Sequence, residues 1–443
     1  MKPILTGLFL LACSFLSAQP ETEAGHLEVV QRMLKESEVF SPIFTGFALF
    51  DPQREAFLLE QDADKYFTPA SNTKIFTLYT ALQILGDSLP AFRYAQYKDT
   101  TVVWGTGNPL FLNPGMPADT AGLNLLRRSG QHLLLSVHNY HDDRFGPGWA
   151  WDDYSYSYQA EKSPFPIYGN LAWFERTKVR EGFRAYPPFF QDKLVYNPKL
   201  DNRRARVVRQ EHQNIFEYND RALTGFPFQV SAPFRASPAL IAALLSDTLG
   251  RKVQPTDLSL LPPLPVKTWH QPIPDTLYQR LMKDSDNFIA EQLLLACSEK
   301  LYGRQETAAA IRFAQDSLFA AFPDRLQWRD GSGLSRYNLF TPRSVASVLH
   351  LIAQQKGMGW VQRIFPAGGQ SGTLERDYAG PSGQPYVFAK TGTLSNKHCL
   401  SGYLVTDSGR VLIFSFMNNN YTNGTAPVKK AMEQILSYLR RNL

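Results

Sequence analysis

Apolar residues recur along this chain in two patterns, long runs that predict buried helices and short runs that predict strands. The longest runs are apolar on nearly all sides, which is typical of helices buried in a core rather than of surface helices. The clearest of them extends from Ile75 to Leu85, after Pro69 and before Gly86. Because proline interrupts the preceding element and glycine is a favoured C-cap, we expect a buried helix to begin near Ser71 and to end before Gly86.

Other patterns predict a mixed set of strands and helices on both sides of the middle of the chain. Strands are indicated by two predicted hairpins and by a short apolar run before Lys390: Thr45–Phe50 with Glu55–Leu59, Leu400–Val405 with Val411–Met417, and Tyr386–Ala389. Helices are indicated at His26–Glu38, at Phe288–Lys300, from Thr341 onwards and at the C-terminal end. The predicted fold class is therefore α/β (α+β), with an antiparallel sheet flanked by helices.

Between residues 91 and 259 the pattern changes to short strands and loops that are rich in aromatic residues, glycine and proline. Only Thr120–Gly130 has a helical pattern there, and long helical patterns return after the stiff connector Pro262–Pro265. At 443 residues the chain is too long for one ordinary core. We therefore predict one domain built from residues 19–90 and 260–443, with residues 91–259 inserted as a β-rich domain.

Two stretches each allow two interpretations. The aromatic stretch Trp149–Tyr154 could stack on sugars, but packing within the small β-rich domain is the favoured interpretation. The C-terminal helix could lie on a membrane surface, but its single apolar face favours a helix that covers one side of the sheet. The residues of that face are Val428, Met432, Ile435, Leu436 and Leu439.

Composition describes a folded globular protein, with 44% hydrophobic and 19% charged residues. The net charge of +6 is modest for this length, and the densest basic cluster, Arg203–Arg206, is predicted to be a solvated loop. We expect no nucleic-acid partner. Cys297 and Cys399 lie in apolar surroundings without metal-ligand neighbours, so we expect buried free thiols, with a disulfide as the alternative. No metal or other cofactor is expected.

The first 18 residues resemble a secretory signal. A single lysine precedes the apolar segment Ile4–Leu16, and small residues follow it up to Ala18. Leu10–Cys13 also matches a lipoprotein cleavage box, but the apolar segment continues beyond it, which favours simple cleavage. No later stretch is long and apolar enough to span a bilayer. We expect a periplasmic protein with at most peripheral membrane contact.

The start of the first buried helix carries candidate chemistry. Ser71 and Lys74 are three residues apart, so they face the same side of the first helical turn. A serine hydroxyl is a poor nucleophile until a base removes its proton, and a lysine in a dry pocket can be neutral and act as that base. On its own, this pair is explained more readily by a serine N-cap followed by a solvated lysine.

Two further motifs support the catalytic interpretation. Ser285-Asp286-Asn287 stands directly before the second apolar helix, and Lys390-Thr391-Gly392-Thr393 follows a predicted strand. Ser-x-x-Lys, Ser-x-Asn and Lys-Thr-Gly, in that order, are the signatures of penicillin-binding proteins and class A β-lactamases. Each motif is weak alone, but the ordered set in its expected structural context is specific.

Together with Asp330–Arg336 and Ala389–Ser395, these motifs resemble one branch of those enzymes. The branch is the low-molecular-mass class C penicillin-binding proteins, the penicillin-binding protein 4 type of D-alanyl-D-alanine carboxypeptidase/endopeptidase of peptidase family S13. The resemblance covers nearly the whole mature chain. Members insert one or two domains between the first two motifs, which agrees with the long gap from Ser71 to Ser285 and differs from the short gap of class A β-lactamases.

The resemblance implies roles for the residues that match. Ser71 would attack the carbonyl of the penultimate D-Ala, and Lys74 would take its proton. Ser285 would relay a proton to the leaving D-Ala, with Lys390 polarising that relay. The resemblance also implies peptidoglycan peptides as substrates and β-lactams as covalent inhibitors.

The remaining roles implied by the resemblance concern binding. Asn287 would hold the peptide amide, and the hydroxyls of Thr391 and Thr393 would bind the terminal carboxylate. Gly392 would leave room for the substrate along the strand edge. The backbone N–H groups of Ser71 and Thr393 would form the oxyanion hole.

A specificity pocket for diaminopimelate is implied as well. Arg336 would line it, or alternatively would only brace the neighbouring loop. An aspartate near Asp142 would complete the pocket, although the segment His141–Phe145 is shorter than in the family, so the residues leave open which aspartate takes this part.

Three functions fit these observations. The leading one is a serine-type D-Ala-D-Ala carboxypeptidase/DD-endopeptidase. A β-lactamase or esterase on the same scaffold is the second, and a non-catalytic wall-binding protein is the third.

Overall fold

The computed structural model describes residues 22–176, 182–201, 207–220, 227–257, 265–381 and 383–443. Three features predicted from the sequence lie outside the described residues. They are the signal at 1–18 with its alternative lipidation site Cys13, the basic cluster Arg203–Arg206, and all of the proline-rich connector except Pro265.

The described residues form ten α-helices and sixteen strands. The helices are α1 (Glu23–Lys35), α2 (Thr73–Leu85), α3 (Thr120–Arg128), α4 (Pro238–Leu249), α5 (Asp275–Met282), α6 (Asn287–Tyr302), α7 (Thr307–Phe313), α8 (Pro342–Lys356), α9 (Met358–Ile364) and α10 (Ala426–Asn442). The strands are β1 (Phe44–Asp51), β2 (Ala56–Gln61), β3 (Ser88–Tyr97), β4 (Thr100–Gly105), β5 (His132–Ser136), β6 (Leu171–Arg176), β7 (Arg184–Tyr186), β8 (Leu194–Tyr196), β9 (Val208–Arg209), β10 (Phe216–Tyr218), β11 (Phe228–Pro233), β12 (Val253–Pro255), β13 (Lys267–Pro272), β14 (Val387–Leu394), β15 (Lys397–Val405) and β16 (Val411–Asn419).

The main sheet is antiparallel and has the strand order β14-β15-β16-β1-β2. Side chains alternate across β1, so Phe47 and Leu49 face one apolar layer while Ala48 and Phe50 face the other. The first layer contains α1 and α10, and the second contains α2, α6 and α8. This arrangement confirms the predicted fold class of an antiparallel sheet flanked by helices.

Helix α10 covers one face of this sheet. All five apolar residues of its predicted face are buried there, together with residues of α1 and β16. The interpretation as a sheet-covering helix is therefore confirmed. Among the helices in the described ranges, none combines the length and the apolar character that a membrane crossing requires.

Helix α2 lies at the centre of the second layer. All of its residues except Tyr79 and Gln83 are buried, as its apolar sequence predicts. Phe76 packs against Phe340, with ring centroids 4.5 Å apart, and each buried aromatic side chain of this kind contributes about 1.5–3 kcal/mol to stability. Gly86 ends the helix with a φ of +67°, a backbone conformation in which glycine carries no Cβ penalty.

The inserted segment forms a second, mixed sheet with the order β12-β5-β4-β3-β13. The first strand of this sheet, β3, pairs with its last strand, β13. The chain therefore enters and leaves the inserted segment on neighbouring strands. Because β3 begins at Ser88 and β13 ends at Pro272, the sheet extends beyond the predicted limits of 91 and 259 at both ends. No described strand within residues 88–272 belongs to the main sheet. The division into domains itself stays a prediction.

The expectation of a single helix in the inserted segment is wrong, because α4 is a second one. Ser237 caps its N-terminus, Pro238 occupies its first turn, and Gly250 ends it in the left-handed conformation. These are ordinary helix signals. The helix is apolar on most sides because it packs into the core of the inserted body.

The two cysteines within the described residues are buried and free, as predicted. Cys297 lies on α6 and Cys399 on β15. Burial raises the pKa of each thiol, so both are inert packing residues.

Candidate active site

Ser71 and Lys74 face each other across the start of α2. Ser71 lies in the short 3₁₀ turn Ala70–Asn72, and the α-helix proper begins two residues later. The Lys74 Nζ is 3.0 Å from the Ser71 Oγ. The alternative of a serine cap with a solvated lysine is wrong, because Lys74 is fully buried and Ser71 is not the N-cap residue of α2.

The Lys74 amine has three partners. It contacts the Ser71 Oγ at 3.0 Å, the Asn287 Oδ1 at 2.5 Å and the Ser332 carbonyl at 2.6 Å. A neutral amine donates two hydrogens and keeps one lone pair. If Asn287 and Ser332 accept the two hydrogens, the lone pair points at the Ser71 hydroxyl, which is the geometry a general base needs.

Burial brings the pKa of Lys74 close to neutral pH. Burial lowers its pKa to about 8, although the carboxylates of Asp330, Glu291 and Asp286 oppose this shift. A sizeable fraction of the amine is therefore unprotonated at mildly alkaline pH.

The second serine–lysine pair lies beside the first. The Lys390 Nζ donates to the Ser285 Oγ and to the Thr391 carbonyl, both at 2.9 Å. Burial and then the charge of Lys74 hold the Lys390 pKa well below its usual value. Ser285 has a φ of +58°, a strained conformation for a residue with a side chain and one that recurs at functional sites.

The residues of the Ser-Asp-Asn motif make different contacts at the start of α6. Asp286 caps the helix by accepting the Ile289 N–H. Asn287 bridges two parts of the site, since its Oδ1 accepts from Lys74 and its Nδ2 donates to the Tyr158 carbonyl at 2.8 Å. Its predicted contact with a substrate amide stays a prediction.

Strand β14 is attached directly to the turn that carries Ser71. The Asn72 Nδ2 donates to the Lys390 carbonyl at 2.8 Å. A Cβ at Gly392 would lie 2.4 Å from the Pro69 carbonyl oxygen, so only glycine permits this approach. Gly392 is thus required for the packing of β14 against the turn. Its other predicted role, to leave room for the substrate, stays a prediction.

The loop after Asp330 closes the other side of the turn. Gly333 has a φ of +84°, and a Cβ there would lie 1.8 Å from the Ala70 carbonyl oxygen. The Asp330 carboxylate holds the loop by accepting hydrogen bonds from the Gly333 and Ser335 N–H groups, the Asn338 Nδ2, the Ser332 Oγ and the Trp149 Nε1. The position of Ser71 is thereby fixed from both sides.

The aromatic stretch Trp149–Tyr154 lies beside this loop. Trp149 bonds to Asp330 across 2.8 Å, and Trp151 is 77% exposed. The favoured interpretation, packing within the β-rich domain, fits Trp149, whose ring lies 5.9 Å from that of Phe145, but not the exposed Trp151. Ala150 and Asp153 of the same stretch line the cleft that contains Ser71.

Ser71 opens into a cleft of about 670 Å³. Four residues predicted for the site line this cleft: Ser71, Asn287, Arg336 and Thr393. Ser285 and Asn287 also line an adjoining cavity of about 240 Å³. Thr391 lines neither cavity, and its hydroxyl donates to Thr373 at 2.7 Å.

The aspartate in the cleft with Arg336 is Asp153. Asp142 is engaged elsewhere, since its carboxylate binds Lys162 at 2.7 Å and the Thr307 N–H at 2.8 Å. Asp142 therefore does not line the cleft, and which aspartate serves the pocket, a question that the sequence left open, stays a prediction. The Tyr158 hydroxyl bonds to Asp153. Asp152 and Asp153 form an acidic pair within the aromatic stretch, and this pair is the sequence signal that could have identified Asp153.

His398 is a site-adjacent residue that the sequence analysis missed. Its Nδ1 lies 2.9 Å from the Thr393 Oγ1, directly behind the cleft wall. Burial lowers its pKa to about 4, so the ring is neutral. It becomes a neighbour of Thr393 only through the pairing of β14 with β15.

Comparison with known proteins gives a consistent result. Residues 28–442 match the D-Ala-D-Ala carboxypeptidase 3 (S13) family. The chain is 26% identical to the D-alanyl-D-alanine carboxypeptidase DacB of Haemophilus influenzae, over 99% of this chain and 96% of that protein. It is also 26% identical to a D-alanyl-D-alanine carboxypeptidase of an Actinomadura species, over 87% and 79% of the two chains. The crystal structure of penicillin binding protein 4 from H. influenzae superposes with a TM-score of 0.72 at 21% identity, covering 94% of this chain and 99% of that one.

Proposed function

The chain belongs to the D-Ala-D-Ala carboxypeptidase 3 (S13) family, and we propose that it cleaves peptidoglycan peptides through an acyl-enzyme on Ser71. The observation that carries this proposal is the joined pair of serine–lysine contacts, Ser71 with Lys74 and Ser285 with Lys390. Asn287, at the start of α6, accepts from the Lys74 amine of the first pair, and the charge of Lys74 acts on Lys390 of the second. One hydroxyl can thus be deprotonated while a second one delivers a proton nearby.

Acylation follows from this arrangement. The Lys74 lone pair takes the Ser71 proton, and the Oγ attacks the carbonyl carbon of the penultimate D-Ala. The C–N bond then breaks, and Ser285 gives its proton to the leaving amine. That proton is replaced through Lys390, and water later hydrolyses the ester on Ser71. In a cross-linked substrate the leaving amine belongs to the neighbouring stem, which makes the same chemistry an endopeptidase reaction.

The developing oxyanion would be held by the backbone N–H groups of Ser71 and Thr393. Loss of one such donor typically costs about 2.7–4 kcal/mol of transition-state stabilisation. The free carboxylate of the substrate would be bound by hydrogen bonds from the Thr393 hydroxyl and the Lys390 amine. Thr391 contributes by its backbone in this scheme, because its hydroxyl is turned towards Thr373.

A β-lactam presents a strained amide and a carboxylate to the same groups. The related penicillin binding protein 4 of H. influenzae has been crystallised in complex with a β-lactam. We expect intact mass spectrometry of this protein with benzylpenicillin to show a long-lived adduct, and peptide mapping to place it on Ser71. Rapid turnover without accumulation would instead indicate a β-lactamase or esterase. Absence of any reaction would indicate a non-catalytic wall-binding protein.

Substrate choice depends on Arg336 in this proposal. Diaminopimelate ends in both an ammonium and a carboxylate, which match Asp153 and Arg336 in the cleft. A guanidinium binds a carboxylate through two parallel hydrogen bonds, whereas a lysine cannot. We predict that Arg336→Lys reduces cleavage of diaminopimelate-containing peptides at least about tenfold, the equivalent of one hydrogen bond to a charged group, while acylation by benzylpenicillin is nearly unchanged.

Steady-state kinetics on the two substrates would test this prediction. Arg329→Lys is the matched control, because Arg329 is exposed on the same loop but does not line the Ser71 cleft. An equal loss on both substrates would mean that Arg336 only braces the loop.

Export to the periplasm completes the proposal. Its support is the apolar segment Ile4–Leu16 with small residues up to Ala18. The N-terminal peptide of the exported protein tests it: cleavage after Ala18 is expected, whereas a lipidated Cys13 would mean a membrane-anchored enzyme.

A further inference from the structure

The mechanism above leaves one buried carboxyl group unused. Glu291 lies on α6, one turn after Asn287, and is 1% exposed. Its Oε1 accepts the Ser332 N–H at 2.7 Å, and the Gly331 N–H also bonds to this carboxylate. Its Oε2 has no hydrogen-bond partner among the described residues. A buried polar atom without a partner is uncommon and calls for an explanation.

Glu291 is connected to Lys74 through a single peptide segment. The N–H groups of Gly331 and Ser332 point to Glu291 on α6, whereas their carbonyls point to α2. The Ser332 carbonyl accepts from the Lys74 Nζ at 2.6 Å, and the Gly331 carbonyl accepts from Thr77 at 2.7 Å. This segment is therefore held between the two helices, and the Glu291 carboxylate anchors its α6 side.

Charged and titratable groups face Glu291 from several elements. Lys74 approaches from α2, Asp330 from its loop, Lys162 from the segment after the aromatic stretch, and Tyr140 from the loop after β5. Lys162 is itself paired with Asp142. Burial and the charge of Asp330 raise the Glu291 pKa to about 7, close to the value of about 8 for Lys74.

We propose that Glu291 is a positioning residue for Lys74, whose carboxylate fixes the Ser332 carbonyl against the amine and whose charge, beside that of Asp330, stabilises the ammonium form of that amine. The proposal rests on the proposed function, since it assumes that Lys74 deprotonates Ser71. An ionised Glu291 stabilises the ammonium form of Lys74. Removal of this charge lowers the pKa of Lys74, so the unprotonated amine becomes available at lower pH.

The test is the pH dependence of acylation by a fluorescent penicillin. In Glu291→Gln the side-chain volume and one acceptor oxygen remain, but the charge is lost. We expect the acidic limb of the profile to move to lower pH by at least half a pH unit, which raises the rate on that limb about threefold relative to the alkaline plateau. In Glu291→Asp the charge remains but the carboxylate withdraws by one methylene, so the plateau should fall while the limb stays near that of the wild type.

Glu299→Gln is the matched control. Glu299 is a buried carboxylate on the same helix, but its partners are Arg93 at 2.8 Å and Asn139 at 3.0 Å. We expect this variant to be less stable thermally and to keep the wild-type pH limb. The same shift in both variants would mean a general loss of helix packing and would overturn the proposal.

A folded Glu291→Gln protein with an unshifted limb would also overturn the proposal, because Glu291 would then be only a structural anchor. An NMR titration of the Lys74 amine in the Ser71→Ala protein, with and without Glu291→Gln, reads the same shift without turnover. This measurement separates the proposed function from the proposed role of Glu291. Absence of acylation in the wild type would contradict the proposed function, whereas the pKa of Lys74 measured by NMR would still decide the role of Glu291.

Discussion

Replacement of Ser71 by alanine is expected to abolish both covalent labelling by penicillin and release of D-Ala, while the protein stays folded. Removal of the nucleophile from a serine peptidase can lower kcat by about 10⁶-fold. The loss of one half-buried hydroxyl leaves the core of α2 intact, so the midpoint of thermal unfolding should change little. Labelling is read by mass spectrometry and D-Ala release by a coupled assay.

Ser395→Ala is the control for this experiment. Ser395 is exposed and lines the same cleft, but it contacts neither lysine of the site in the described structure. It should label at nearly the wild-type rate. If Ser71→Ala is still labelled at a rate similar to that of the wild type, Ser71 is not the nucleophile.

Gly333→Ala should be the most damaging substitution outside the catalytic residues. The position needs a φ of +84°, which costs an L-residue roughly 1–2 kcal/mol. In addition, the new Cβ would lie 1.8 Å from the Ala70 carbonyl oxygen, so the turn that carries Ser71 must shift. A misplacement of about 1 Å can lower a rate 10²-fold, and we expect at least that loss in acylation by penicillin.

Gly409→Ala separates the backbone strain from the clash. Gly409 has the same φ of +84°, but a Cβ there meets no atom within 4 Å. Both variants should lose a similar amount of stability from strain, and only Gly333→Ala should lose acylation. Near-normal acylation by Gly333→Ala, measured with the same fluorescent penicillin, would show that the turn can adjust without moving the nucleophile.

The sequence predicted the site best where candidate catalytic residues lie in, or next to, a clearly predicted helix or strand. Ser71, Ser285 and Lys390 each stand at the start of a helix or within a strand whose apolar pattern is unambiguous. The ordered motifs, and the family resemblance that they carry, therefore led to side chains that the structure places in two neighbouring contacts. The main sheet, its two hairpins and the cover by α10 were predictable for the same reason.

The parts that could not be predicted depend on contacts between distant segments. Glu291 looks like one more residue of a buried helix until the Gly331–Ser332 peptide is placed against it. His398 becomes relevant only through strand pairing, and Asp153 only because its loop folds over the cleft. Thr391 shows the opposite case, since the motif suggested a substrate contact for a hydroxyl that the fold turns towards Thr373.

The order of strands in the main sheet has a consequence for how the enzyme is made. Strand β1 pairs with β16, and the Thr45 hydroxyl donates to the Asn418 side chain 373 residues further along. A chain that folds from its N-terminus therefore keeps the β1 edge of the β1–β2 hairpin unpaired until residues 411–419 are available. Contacts of such long sequence separation form slowly. Ser71 lies early in the chain, but its catalytic surroundings assemble only when β14 and β16 have joined the sheet, so a partly folded chain carries the nucleophile without its activity.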